Sequence, residues 1–257
     1  MTCNCAGNPI SYTCYYEEGY CAGDPNTNFV IFKKCYLGDC CCPSGSCGGG
    51  GGGGGCEVEG CPPEYVCFEG FCSSASPVLI DILGDGIDLT NKAGGVNFDL
   101  NADGTAGLLS WTTANSDDAW LVLDRNANGT IDNGRELFGN VTLQSAPPAR
   151  YENNGFNALS EFDKPENGGN NDGKITGSDA IFSSLMAWQD VNHNSISESN
   201  ELRSLQSLGI ATIDCLYKES RRRDQNGNLF RYRAKVGDMP GTRLGRWAWD
   251  VFLISTP

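Results

Sequence analysis

Histidine is all but missing from this chain: His193 is the only one among 257 residues. A Ser-His-Asp or Cys-His nucleophilic site would have to use it, and nothing beside it marks a nucleophile. HExxH, GxSxG and phosphate-loop patterns are also absent. No enzyme is therefore expected, and His193 reads as a solvated loop residue. No apolar run approaches the ~18 residues of a membrane span. Positive charge is scarce, with 18 Lys+Arg against 32 Asp+Glu and a net charge of −14. That argues against nucleic acid as a partner, since phosphate contact needs clustered cations. The start, Met1-Thr2-Cys3-Asn4-Cys5, has neither the basic onset nor the apolar run of a secretory leader.

Beyond residue 72 cysteine is nearly gone: only Cys215 remains of the 14. The crowded cysteines of residues 1–75 read as a small disulfide-rich region, suited to an oxidising, extracellular setting. An uninterrupted glycine run, 48–55, reads as a linker inside it. Cys56, Cys61, Cys67 and Cys72 are evenly spaced, like a two-disulfide knot, and lack the tight CxxC pairs of a zinc site. Thirteen is odd, so one thiol stays over. Cys215 itself reads as a buried free thiol.

Acid is what the middle of the chain has in plenty. Residues 76–202 carry 19 acidic and 6 basic side chains, a balance of −13, whereas residues 203–257 carry 5 and 10, a balance of +5. The acids fall into four short loops. Loop one is Asp99, Asn101 and Asp103 before Gly104, with the Thr105 carbonyl at position 7. Loop two is Asp124, Asn126 and Asn128 before Gly129, then Thr130, Asp132 and Glu136. Loop three is Asn170 and Asp172 before Gly173, then Lys174 and Asp179, with Asp163 at position 1 if residues 164–169 bulge out. Loop four is Asp190, Asn192 and Asn194, then Ser195 in place of glycine, Ile196, and Glu201 at position 12.

Oxygen side chains at positions 1, 3 and 5, a backbone carbonyl at 7 and a later acid are what a hard cation such as Ca²⁺ requires. Glycine at 6 permits the sharp turn. Loop one lacks the closing acid, since Ser110 stands at position 12, and Asp81, Asp85 and Asp88 are candidates to complete it. In loop two Glu136 falls at position 13. The many Asn ligands suggest weak sites, on the order of the 10⁻⁴–10⁻³ M of extracellular modules.

Strands are expected at 77–82, 96–98, 108–111 and 120–123, and helices at 156–162 and 178–188, bracketing loops three and four. Residues 210–216 and 230–236 read as a hairpin turned at Asn226-Gly227, with Phe230, Tyr232, Ala234 and Val236 on one face. Residues 247–253 close the chain as a strand. Arg221-Arg222-Arg223 reads as a solvated turn, with contact to anionic surface polymers as the functional alternative. The expected fold class is α+β: short strands and helices around EF-hand-like calcium loops, with a disulfide-rich region at 1–75 and a calcium-binding domain at 76–257.

The runs Ser76-Pro77-Val78-Leu79-Ile80-Asp81, Phe98-Asp99-Leu100-Asn101-Ala102-Asp103-Gly104 and Leu123-Asp124-Arg125-Asn126-Ala127-Asn128-Gly129, continued through Trp188-Gln189-Asp190 and Glu201-Leu202, resemble the calcium-binding self-processing module of bacterial RTX-type exported proteins. The resemblance implies calcium-driven folding, secretion, and cleavage of an Asp-Pro bond whose new carboxyl end joins a lysine. Here the dipeptide is Ser76-Pro77, without the attacking carboxylate, so cleavage is not expected. The leading expectation is a calcium-stabilised extracellular structural or interaction protein. The partners expected are calcium ions and a cell-surface or extracellular protein. A self-cleaving, crosslinking module and a Cys-rich adhesion module are the alternatives.

Overall fold

The computed structural model describes residues 2–3, 12–13, 65–68, 71–149, 151–240 and 245–255. The chain divides into two compact units, residues 1–73 and 74–257. In the first, β1 (Thr2–Cys3) pairs antiparallel with β2 (Tyr12–Thr13). β3 (Tyr65–Phe68) pairs with β4 (Phe71–Ser74), which ends at the boundary. The glycine linker lies outside the described residues, and so do the side chains of the cysteines expected to form disulfides.

The second unit is built on one nine-stranded sheet. Its strands are β5 (Val78–Ile80), β8 (Ala119–Val122), β9 (Lys174–Thr176), β10 (Met186–Trp188), β11 (Leu202–Ser204), β12 (Ile210–Asp214), β13 (Lys218–Arg223), β14 (Leu229–Asp238) and β15 (Trp247–Phe252). They run in the order β11-β10-β8-β5-β15-β14-β12-β9, with β13 also on β14. Every registered pair in it is antiparallel. A separate hairpin joins β6 (Val96–Phe98) to β7 (Gly107–Leu109).

The expected α+β class is thus corrected: the unit is mainly antiparallel β. The one α-helix among the described residues is α1 (Gly155–Ser160), capped by the Asn154 side chain on the N–H groups of Phe156 and Asn157. The helix expected at 178–188 is a 3-10 turn, Ala180–Ser183, followed by β10. The apolar spacing of Ile181, Phe182, Leu185 and Trp188 is helical over only about two turns, too short to hold a helix alone. Met186–Trp188 instead gains two strand neighbours, with Trp188 opposite both Trp120 and Leu202. Loops three and four are therefore not helix-bracketed EF-hands. The Asn226-Gly227 turn is real, but the strand it joins to β14 is β13, so the three arginines lie on a strand.

Alternation gives the sheet two apolar faces. Ile80, Ala119, Leu121, Ala187, Ala234 and Ala248 face one side and pack with Phe156, Leu159, Phe182 and Leu185 into an aliphatic core. Leu79, Trp120, Trp188 and Trp249 share the other side through cross-strand pairing. There Trp111 lies 4.5 Å from Trp120 and 5.5 Å from Trp188, with Phe98 5.2 Å from Trp111, ring centre to ring centre. The β6–β7 hairpin thus supplies the lid of an aromatic core.

Candidate metal centre

All four loops adopt the same backbone path. Position 4 is left-handed in each: Ala102 (φ 57°), Ala127 (58°), Asn171 (58°) and His193 (60°). So is position 6: Gly104 (90°), Gly129 (86°), Gly173 (82°) and Ser195 (58°). Ser195 thus accepts a conformation that normally favours glycine.

The wiring is repeated as well. The position-1 carboxylate accepts the N–H groups of positions 5 and 6 in every loop: Asp99 from Asp103 and Gly104, Asp124 from Asn128 and Gly129, Asp163 from Asp172 and Gly173, Asp190 from Asn194 and Ser195. The position-5 oxygen accepts the N–H of position 7: Asp103 from Thr105, Asn128 from Thr130, Asp172 from Lys174, Asn194 from Ile196. Asp163 takes position 1 of loop three, with a 3-10 turn, Pro165–Asn167, carrying the excursion of 164–169.

The closing acids return to their loops. Glu136 accepts from the N–H groups of Arg125 and Asp132, one residue later than the standard spacing notwithstanding. Asp179 accepts from Asn170 and Thr176, and Glu201 from Val191 and Asn192. Loop one has no such acid: Ser110 turns away and donates to the Thr90 carbonyl. Asp81 and Asp85 gather instead with Asp117, ligand oxygens within 4.8 Å of one another. Asp117 is fixed there by the Leu83 N–H at 2.7 Å.

Five of these acids are buried: Asp163 6%, Asp179 3%, Asp190 2%, Glu201 2% and Glu136 3% exposed. None of them belongs to an ion pair among the described residues. Charge held this way is costly unless a counter-charge arrives. Oxygen donors without an ion-paired cation among the described residues fit a hard cation such as Ca²⁺.

Sequence reasoning missed Glu198, at position 9 of loop four, where Asn192 and Asn194 both donate to its carboxylate. Asp132, at position 9 of loop two, is held the same way by Asn126 and Asn128. Those amide hydrogens, with Thr130, keep Asp132 below the ordinary carboxylate range. Burial, then its hydrogen bond with Glu198, raises Glu201, so loop four presses two carboxyls together. The signal available in sequence was an acid eight residues past Asp190, as there is past Asp124.

Loop four is also tied into the aromatic core. The buried Trp111 Nε1–H donates to Asp190 Oδ2 at 2.8 Å, and Trp188 Nε1–H to Glu201 Oε2 at 3.4 Å. His193 is no solvated residue: its ring nitrogens meet the carbonyls of Thr112 (2.6 Å) and Gly94 (2.8 Å). Ser195 Oγ donates to the Asn97 carbonyl. Loop two reaches both neighbours, as the Ile131 N–H donates to Ser197 Oγ and the Gly134 N–H to the Asp99 carbonyl. A Cβ on Gly134 would stand 1.7 Å from the Leu100 carbonyl oxygen, so only glycine allows this approach. Loop three bonds to none of the other loops: its Lys174–Thr176 segment is β9, paired with β12, and the Cys215 N–H donates to the Gly173 carbonyl. Cys215 is a free, buried thiol, raised by burial and by the nearby Asp163 and Asp179.

The SPM domain family matches residues 78–249, a span that takes in all four loops. Iron-regulated protein FrpA of Neisseria meningitidis serogroup C is 38% identical to the chain over 168 residues, 65% of this chain and 14% of the relative. The chain thus spans about a seventh of that relative's length.

Proposed function

The chain belongs to the SPM domain family, and from that premise we propose that residues 76–257 are a calcium-binding structural module of an exported bacterial protein. It binds ions to hold its fold and catalyses nothing. The observation that carries this reading is the loop wiring repeated four times, with left-handed residues at positions 4 and 6 each time. A solvated turn has no reason to bury its acids, and these loops bury five. Calcium relieves that confinement, so folding and binding are linked. The relation to RTX-type exported proteins fits the millimolar calcium outside cells, where sites rich in Asn are adequate. The Cys-rich region 1–75 is the part suited to a cell-surface or extracellular protein partner.

Against self-cleavage stands the dipeptide itself. Ser76 offers no carboxylate, and its N–H is held by Asn140 Oδ1 at 2.9 Å. The Pro77 carbonyl accepts the Val251 N–H at 2.9 Å.

The test is a calcium titration of chelated protein, followed by tryptophan fluorescence and near-UV circular dichroism, with intact mass taken at each point. A cooperative gain of tertiary signal at constant mass is the expected result. Fragments ending near Ser76 would establish self-processing instead. An unchanged signal and unchanged thermal melts with chelator would refute calcium binding.

A further inference from the structure

The β6–β7 hairpin covers the aromatic face over β8 and β10, and the same face continues onto β15, β14 and β13. There its covering is charged. Lys218 lies opposite Arg233, which lies opposite Trp249, and Lys235 lies opposite Trp247. The Arg233 guanidinium sits 4.7 Å over the Trp247 ring and 5.5 Å over that of Trp249. Arg222 sits 5.1 Å over Trp249 and 4.5 Å over Phe230. Lys218, Arg222 and Lys235 are exposed and Arg233 half-buried. None of the four is in an ion pair among the described residues.

We propose that this face, Lys218, Arg222, Arg233 and Lys235 over Trp247 and Trp249, is a docking surface for an acidic polysaccharide. Aromatic rings under the two guanidinium groups lower the entropy cost of ordering them and leave N–H groups for carboxylate or sulfate. Cations two residues apart on one strand are ~7 Å apart and neighbours across strands ~5 Å. That lattice suits a chain bearing a charge on each sugar or every second one.

Other occupants fit worse. A duplex carries one charge per ~1.7 Å, far denser than four cations spaced ~5–7 Å apart can match. A membrane surface calls for exposed apolar residues that insert. The exposed large hydrophobics among the described residues, Leu83, Leu143, Val191, Ile196 and Leu216, include none on β13, β14 or β15. A protein partner needs a dry apolar centre, and here arginines already cover the indoles. A row of charges on the edge strand β13 also opposes strand addition.

The test uses the full chain in calcium on immobilised heparin at ~0.15 M salt, where surface charges are screened beyond ~8 Å. Salt-dependent retention is expected. The double variant Lys218→Glu/Lys235→Glu, both positions exposed, should keep its near-UV spectrum and bind at least about tenfold more weakly. Arg203→Glu, on β11 at the far end of the sheet, should bind like the parent. No retention, or equal retention of the double variant, overturns the proposal. So does tighter binding to phosphatidylserine vesicles or duplex DNA, or retention that tracks self-association in sedimentation. Because the readout is heparin affinity, its failure leaves the calcium titration standing, and the reverse also holds.

Discussion

Loop three bonds to itself, to Cys215 and, through β9, to β12. On the aromatic face, loops one, two and four bond to one another, and loop four also to the tryptophans under it. The loop chemistry is the same, and the surroundings differ. What the difference teaches is that a cation in loop three would reach only the strand that loop is built into, whereas one in loop four would act on the hairpin and on two other loops. Coupling of this kind travels through contiguous bonds and is reciprocal.

The harshest way to break that comparison is to delete the position-1 acids. Asp190→Ala strips the acceptor from Trp111 Nε1, Asn194 N–H and Ser195 N–H. It should cost about 4 kcal/mol in urea unfolding at saturating calcium, charged acceptors being worth roughly 1.5–3 kcal/mol each before overlap. Asp163→Ala orphans only the N–H groups of Asp172 and Gly173 and should cost about half as much. Equal losses would erase the distinction.

A second test separates pH from calcium. Asp250, fully buried on the aliphatic face, accepts the Gly155 N–H at 2.7 Å and belongs to no loop. Burial raises its carboxyl to about 7. A folded value above the unfolded one favours the protonated form in the folded state. Stability from this group is therefore full below about pH 4 and is lost as pH climbs through 7. Asp250→Asn should abolish that loss, gaining up to a few kcal/mol on the parent between pH 4 and pH 7, at ~1.4 kcal/mol per pKa unit. The gain should be the same with and without calcium. If it depends on calcium, the two faces are not separate.

Trp111→Phe keeps an aromatic ring, loses the pyrrole half of a buried indole and drops its donor. Calcium affinity at loop four, followed by the Ser195 amide resonance, should fall about tenfold, near 1.4 kcal/mol. The Gly173 resonance should titrate unchanged. The gentlest change is His193→Ala, which unties loop four from Gly94 and Thr112. It should separate the midpoints of Gly104 and Ser195 by about 1 kcal/mol. Midpoints already separate in the parent would mean that the loops never spoke to one another.

Much of this site was legible in the sequence, because the loops are local objects. Spacing of Asp, Asn and Gly dictates the turn, and Asp163 could be placed across a bulge by register alone. Glu136 found its place despite arriving a residue late. The fold class was not legible. At 178–188 a helical spacing of four apolar residues met two strands waiting in space, and long-range pairing won. At 221–223 charge suggested a turn, but the residues lie on an edge strand whose neighbour, β14, is ten residues long and serves β12 with one half and β13 with the other. Nor does sequence reveal that an indole reaches Asp190 across 79 residues.

Gly134 gives the arrangement its most fragile point. It supplies no ligand and buries no large side chain, yet its backbone lies where the Leu100 carbonyl leaves room for a hydrogen atom and nothing bigger. One methyl group there acts as a wedge, prising loop two from loop one while every proposed ligand oxygen stays intact. The weakest link of an assembly of such loops can therefore be a residue that offers no oxygen of its own side chain.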